Sequence, residues 1–150
     1  MSLQITISDA VKVAMRAKDS ARLTTLRFLQ AAIKQREIDD RKALSDTEVM
    51  AIIEKQIKQR RESIAAYEKA GRAETAAQES AEIVVLQEFL PQAASEQEVL
   101  AVIEAAIEEA RACGAQGPAV MGKVMATVKQ ALAGRAEMAA VSQQVKAKLS

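Results

Sequence analysis

The sequence contains no histidine, no tryptophan and a single cysteine, Cys113. The absence of histidine removes the most common general base at neutral pH and the most common metal ligand in proteins. A single cysteine cannot form an internal disulfide, which is typical of a protein from a reducing compartment. A catalytic thiol needs a neighbouring base or a comparable activating environment, and without histidine we interpret Cys113 as incidental. We therefore predict no catalytic residue, no metal site and no cofactor.

Turn-forming and aromatic residues are also scarce, with five glycines, two prolines and three aromatic residues in 150. Alanine, leucine, glutamate, lysine, arginine and glutamine dominate instead, and these are the best helix formers. No stretch alternates apolar and polar residues as a half-buried strand does. The composition predicts an all-α protein, built as one domain or as two small helical subdomains.

Long apolar runs are missing as well. The longest purely aliphatic run is Ile83-Val-Val-Leu86, far short of the roughly 20 residues that a membrane-spanning helix needs. The first residues lack the basic end and apolar run of an export signal. We predict a cytoplasmic protein that makes no membrane contact.

The first part of the chain predicts a helical subdomain over residues 1–92. Ser8 is expected to cap a first helix over about 9–18, and Ser20 a second helix that runs to about Asp39. Ser45-Asp-Thr-Glu48 has the pattern of a capping box and begins a long apolar-periodic segment, which Gly71 can end in a left-handed conformation. A second segment follows and stops before a proline, so residues 46–90 predict a long helical hairpin.

The remainder, residues 93–150, predicts a small three-helix bundle. Ser95-Glu-Gln-Glu98 is a second candidate capping box, for a helix that runs to about residue 112. Pro118 fits the first position of the next helix, and residues 133–135 form the turn before the last one. Hydrophobic residues at helical spacing give each of these helices one apolar face.

The segment Gly117–Ala136 combines backbone freedom with positive charge. It contains three of the five glycines and presents two glycine–base pairs, Gly122-Lys123 and Gly134-Arg135. Residues 111–150 carry six basic residues against one glutamate, and residues 12–36 carry seven against one aspartate. Basic residues beside glycines suit contact with a phosphate backbone. Charge and glycine content thus partly support a prediction of Gly122, Lys123, Lys129, Gly134 and Arg135 as nucleic-acid-binding residues, and most of the support for that prediction comes from the family resemblance of this segment.

Two sharper interpretations of this segment fail. Gly117 to Lys123 matches the GxxxxGK pattern of a nucleotide-binding loop, but Val124 stands where serine or threonine must hold magnesium, and no strand precedes the segment. The scarcity of aromatic residues argues against single-strand binding by base stacking. Structured RNA, recognised by shape and phosphate position, remains. The alternative is a protein-interaction adaptor that docks through the hairpin 46–90.

Several segments in order along nearly the whole chain resemble the YqeY family. They are Arg22–Arg27, Ala31–Asp39, Ile57–Ser63, Tyr67–Arg72 and Glu82–Pro91, followed by Met121–Met125 and Gly134–Ala136. The last two are similar to a signature that the family shares with the C-terminal tail of GatB, a component of the glutamyl/aspartyl-tRNA amidotransferase.

The resemblance implies a two-part helical fold and a role near tRNA. In the amidotransferase the related tail holds the outer corner of the tRNA, remote from the chemistry. YqeY proteins are associated with carbon–nitrogen ligases that use glutamine as the amido-N-donor. This sequence has no counterpart of the catalytic cradle domain, so the resemblance implies a non-catalytic tRNA-binding or tRNA-associated module. For the alternative adaptor, the expected partner of the hairpin 46–90 is an aminoacyl-tRNA synthetase or an amidotransferase. One departure is Gly134-Arg-Ala-Glu-Met, which lacks the basic residue that relatives carry beyond the turn.

Overall fold

The computed structural model describes residues 2–149, which form seven α-helices and no strand. This confirms the prediction of an all-α protein. The chain divides into two compact units, the first ending at Leu90 and the second beginning at Pro91. The sequence suggested a boundary after residue 92. No helix within residues 2–149 is both long and apolar enough to cross a membrane.

The first unit contains four helices. They are α1 (Leu3–Arg16), α2 (Ser20–Asp40), α3 (Asp46–Lys69) and α4 (Ala73–Gln87). The last two follow each other through a three-residue turn and pack along each other as a hairpin. Gly71 lies in that turn with φ of +74°, which confirms that a left-handed glycine ends α3.

The core of the first unit is aliphatic. Its fully buried side chains include Ile7 of α1, Leu26 and Leu29 of α2, Ile53 of α3 and Leu86 of α4. Each such side chain contributes roughly 1.5–3 kcal/mol when it leaves water. These residues recur at helical spacing in the sequence, so one face of each amphipathic helix supplies the core.

The N-terminal caps of α1 and α2 differ from the predicted ones. The helix α1 begins at Leu3 and is capped by Ser2, whose hydroxyl accepts from the Ile5 amide at 3.2 Å. Ser8 lies inside that helix. The cap of α2 is Asp19, which accepts from the Arg22 amide at 3.1 Å. In both cases a cap-type residue that precedes the predicted one accepts the hydrogen bond from a first-turn amide. Each helix therefore begins earlier than the sequence suggested.

The box at the start of α3 forms as predicted. Ser45 accepts from the Glu48 amide at 3.2 Å, and the Glu48 carboxylate accepts from the Ser45 amide at 2.9 Å. Lys42 donates to the same carboxylate at 2.7 Å. The bond from Lys42, followed by the bond from Ser45, lowers the pKa of Glu48. Two amides at the N-terminal end of α3 thereby find partners.

The second unit contains α5 (Glu96–Ala112), α6 (Pro118–Ala131) and α7 (Met138–Leu149). The middle helix, α6, packs against both of the others. The core is again aliphatic, and its fully buried residues include Ile103, Val124, Val128, Leu132 and Val145. Proline occupies the first turn of α6 as predicted, because its missing N–H has no intrahelical partner there in any case.

Candidate nucleic-acid interface

The helix α6 has one buried and one exposed face. Val120, Val124 and Val128 are buried at a spacing of four residues, and Leu132 follows directly after the helix. With 3.6 residues per turn, this stripe fills less than half of the helix circumference. The opposite side of the helix is exposed and combines polar side chains with small residues. These exposed residues are Gly122, Lys123, Ala126, Thr127, Lys129 and Gln130.

Helix geometry sets the layout of this exposed face. At about 100° per residue, Lys123 and Lys129 lie about 60° to either side of Ala126 and about 9 Å apart along the axis. Gly122 lies one turn before Ala126 on the same strip. On this face, Gly122 and Ala126, which have little or no side chain, therefore lie between the two lysines. We call these residues, Gly122, Lys123, Ala126 and Lys129, the α6 face.

The electrostatics of the α6 face are positive and uncompensated. The helix has two lysines and no acidic residue, a formal charge of +2, whereas α5 has five glutamates and one arginine, a formal charge of −4. Within the part of the chain that the structure describes, neither Lys123 nor Lys129 has a hydrogen-bond or ion-pair partner. Both ammonium groups are therefore available to an anion from solution.

Gly122 has no role in the packing of the described residues. A Cβ placed there meets no heavy atom within 4 Å, and its backbone does not require the left-handed conformation. An interior helical glycine costs about 0.5–1 kcal/mol relative to alanine. The packing of the described residues does not offset this cost and does not require a glycine at this position.

Gly134 and Arg135 have a different environment. Gly134 has φ of +72°, a conformation that other residues adopt at a cost, and this allows the turn after α6. The Arg135 guanidinium donates from Nε to the Gln92 carbonyl at 3.0 Å and from Nη2 to Glu98 Oε2 at 2.6 Å. The Ala94 amide donates to the Arg135 carbonyl at 2.8 Å. These bonds tie the residues before α5 to the turn between α6 and α7.

The contact between Arg135 and Glu98 changes the second predicted capping box. Ser95 accepts from the Glu98 amide at 3.1 Å, as expected. The Glu98 carboxylate, however, binds Arg135 rather than closing the box as Glu48 does in α3. Both boxes have serine and glutamate at the same spacing, so no local signal could separate them. Only the packing of the turn against α5 places a guanidinium beside Glu98.

The structure therefore separates the five predicted site residues into two groups. Gly122, Lys123 and Lys129 share the exposed surface of one helix. Gly134 and Arg135 lie at the following turn and make contacts within the unit. Four of the five were grouped because glycine and a base are adjacent in both places, and Lys129 was added as a further base of the same segment. Sequence alone does not indicate which base has an internal partner.

The second unit also has a solvent-open cavity of about 500 Å³ near the start of α6. Arg111, Gln116, Gly117 and Leu149 are among its lining residues. Among the described residues that line it, Arg111 is the only titratable side chain, so the cavity has no acid–base pair for catalysis. Among residues 2–149, no group of acidic or cysteine side chains is arranged to hold a metal ion.

The fold and the α6 face define a small all-helical protein with two helical units and a basic surface on the second. A family model described as Yqey-like protein matches residues 4–149. The chain therefore belongs to the YqeY-like family. The match covers both units and confirms the resemblance seen in the sequence.

Curated relatives include fungal proteins named for mitochondrial inheritance. The chain is 36% identical over 125 residues to "Altered inheritance of mitochondria protein 41, mitochondrial" of Eremothecium gossypii, covering 81% of this chain and 67% of that protein. The protein of the same name from Pyrenophora tritici-repentis is 30% identical over 121 residues, covering 79% and 67%. The names of these relatives indicate a mitochondrial location for them.

Proposed function

We propose that this protein is a non-catalytic tRNA-binding module whose second unit contacts the phosphate backbone through the α6 face. The observation that carries the proposal is the pair Lys123 and Lys129, exposed on a helix without acids and without partners among the described residues. Between them, Gly122 and Ala126 leave room for a backbone to approach closely. The resemblance to the tRNA-holding tail of the amidotransferase identifies tRNA as the structured RNA to test first.

We assign Arg135 a smaller part in this function. Two of its five N–H donors are already used, and the charge of Glu98 offsets its own. Gly134 allows the turn in which Arg135 lies, so we assign it a structural role as well. A phosphate that reaches this turn would have to compete with a carboxylate at 2.6 Å, whereas a phosphate at Lys123 or Lys129 displaces only water.

The proposal places the protein beside glutamine-dependent tRNA transamidation rather than in its chemistry. Among the described residues no group of acidic or cysteine side chains is arranged to hold a metal ion, and the sequence has no histidine to act as a general base. Ligase activity would therefore come from a partner, such as an amidotransferase or an aminoacyl-tRNA synthetase. The single cysteine is consistent with a reducing compartment such as the cytoplasm, and the names of the relatives make the mitochondrion the second compartment to examine.

The test is a salt series of filter-binding measurements with unfractionated tRNA. Each neutralised phosphate contributes roughly −0.7 to −0.9 to the slope of log affinity against log salt. The double variant Lys123→Ala/Lys129→Ala should therefore weaken binding and reduce the magnitude of the slope by about 1.4 to 1.8. Lys58→Ala/Lys69→Ala removes the same charge from exposed positions on α3 and should leave the slope nearly unchanged.

A second pair of variants tests the close approach at Gly122. Gly122→Gln adds a long side chain to the α6 face and should weaken tRNA binding while the helix remains intact, because glutamine is a good helix former. Ala105→Gln makes a similar addition at an exposed position of α5 and should have no effect. Equal affinity and slope for wild type and both α6 variants would rule out this interface.

A protein-interaction role for the hairpin is the second candidate. The outward surface of α4 carries Ala77, Ala81 and Val84 at helical spacing, and Val84 is largely exposed. This apolar strip favours contact with another protein. Capture of a synthetase or amidotransferase that persists after nuclease treatment and is lost in Val84→Lys, together with no tRNA retardation, would favour the adaptor over the tRNA-binding role.

A further inference from the structure

Phe28 of α2 is an exposed aromatic residue in a chain that has only three. Its side chain is 63% exposed. All four of its helical neighbours at three and four residues are small, namely Thr24, Thr25, Ala31 and Ala32. Since these are the positions whose side chains meet on a helix surface, α2 itself leaves the ring uncovered.

One face of the Phe28 ring is covered by a fixed guanidinium. Arg60 of α3 lies with its central carbon 5.7 Å from the ring centroid, within the range of a cation–π contact. Arg60 is only 11% exposed and donates from Nε to Glu82 of α4 at 2.9 Å, with Glu79 at 4.0 Å. Since Arg60 lies over one face of a ring that is still largely exposed, the opposite face is the one open to a ligand.

The charges near Phe28 favour an anionic ligand on the outer side of α2. The carboxylates of Glu79 and Glu82 are directed to Arg60. Arg27 and Lys34, seven residues apart on the outer stripe of α2, are exposed and have no partner among the described residues. These two cations lie about 10 Å apart along the helix axis and about 100–120° around the helix from Phe28, so a ligand that reaches both the ring and the cations must cross the outward face of α2.

A protein partner fits this surface less well than RNA. A protein hot spot is a large anchor in a well-packed pocket whose surrounding contacts exclude water, whereas the α2 neighbours of Phe28 at three and four residues are the short side chains of threonine and alanine. The other large apolar residue exposed on this helix is Ile38, nearly three turns away. An aromatic face and two free cations on the outward side of one helix instead match a base with its phosphates.

We propose that Phe28, backed by Arg60, is a stacking platform for one unpaired nucleobase of a structured RNA, with Arg27 and Lys34 contacting the adjoining phosphates. This inference rests on the proposed function for the class of ligand, but it concerns the first unit rather than the α6 face. Three aromatic residues cannot follow a single strand, yet one suffices for a single flipped-out or terminal base.

The absence of tryptophan allows a direct optical test. Phe28→Trp introduces a single indole at the platform, and stacking on a nucleobase should quench its fluorescence on addition of tRNA. Ile38→Trp, at a comparably exposed position of the same helix, is the control and should change little. A fully paired RNA duplex of similar length should bind through phosphates but leave the Phe28→Trp emission unquenched.

Binding measurements distinguish stacking from simple apolar contact. Phe28→Ala should weaken tRNA binding about 5- to 150-fold, the range expected for loss of one base–aromatic stack, and should leave duplex binding unchanged. Phe28→Leu keeps an apolar side chain without a π-face and should resemble Phe28→Ala. Because the residue is exposed, both variants should keep the wild-type melting temperature within about 3 °C.

The outcomes separate this inference from the proposed function. If tRNA binds in a Lys123- and Lys129-dependent manner but Phe28→Ala binds equally well and Phe28→Trp is not quenched, the platform is wrong and the proposed function stands. If Phe28→Leu retains full tRNA affinity while Phe28→Ala loses it, the contact is apolar and the stacking assignment is wrong. If Phe28→Ala instead abolishes capture of a nuclease-resistant protein partner, the platform serves a protein and the inference is overturned.

Discussion

The two glycine–base pairs of the second unit have the same residue types but different physical roles. At Gly134-Arg135, the glycine adopts a positive φ and the arginine bonds to Gln92 and Glu98. At Gly122-Lys123, the glycine has a regular helical environment with open space around it, and the lysine has no partner among the described residues. The first pair is explained by the fold, whereas the second is not, and this difference directs the search for a binding surface to α6.

The largest expected effect is the change in stability when each glycine is replaced by alanine, and it has opposite signs at the two positions. Gly134→Ala forces a Cβ into a left-handed conformation and should destabilise the second unit by roughly 1–2 kcal/mol. Gly122→Ala removes the cost of an interior helical glycine and should stabilise it by about 0.5–1 kcal/mol. Urea unfolding followed by circular dichroism measures both. Destabilisation by Gly122→Ala would indicate a structural need for that glycine and weaken the case for α6.

Substitution of the two basic residues should also affect stability unequally, with Arg135 more sensitive than Lys123, but the difference should be smaller than for the glycines. Arg135→Ala removes a bond to a carbonyl and a partly exposed ion pair, and should cost about 1 kcal/mol. Lys123→Ala should change stability by less than about 0.5 kcal/mol, as expected for an exposed side chain without partners. Glu98→Gln supplies a matched control, since it keeps an acceptor for Arg135 but removes the charge. A Lys123 variant as unstable as the Arg135 variant would contradict the comparison.

The smallest expected effect concerns the pH dependence of stability that the serine–glutamate box of α3 confers. The pKa of Glu48 is lowered in the folded protein, mainly by Lys42 and then by the Ser45 amide. A depressed folded pKa gives a contribution to stability that is present above the unfolded value and is lost as pH falls through the folded one. As pH falls below about 4.5, the melting temperature of the wild-type protein should therefore decrease faster than that of Glu48→Gln. Parallel pH profiles for the two proteins would show that this bond does not stabilise the folded state.

Much of the fold was predictable because it depends on local patterns. The helix class, the hairpin turn at Gly71, the box at Ser45 and proline at the start of α6 all follow from residues within a few positions of one another. The errors were at the first two helix starts, where Ser2 and Asp19 serve as caps instead of Ser8 and Ser20. Several residues of cap type occur close together there, and which one is used depends on how far the helix extends to pack its apolar face.

The site was predictable only as a set of candidates. Charge and glycine content indicated the segment Gly117–Ala136, but the partners of each base come from elsewhere in the chain. Glu98 is 37 residues from Arg135 in sequence, and no periodicity connects the two. The same holds for Phe28 and Arg60, which belong to different helices and meet only through packing.

The sequence by itself determined that this is an all-helical protein of the YqeY-like family with a basic, glycine-containing segment, because composition, apolar spacing and short motifs are local properties of the chain. Tertiary structure alone decided which cations are free. An arginine next to a glycine is neutralised where packing brings a carboxylate within 2.6 Å, and a lysine next to a glycine stays available where the exposed side of its helix has no acid. Electrostatic availability depends on distance in space, and a sequence does not record that distance.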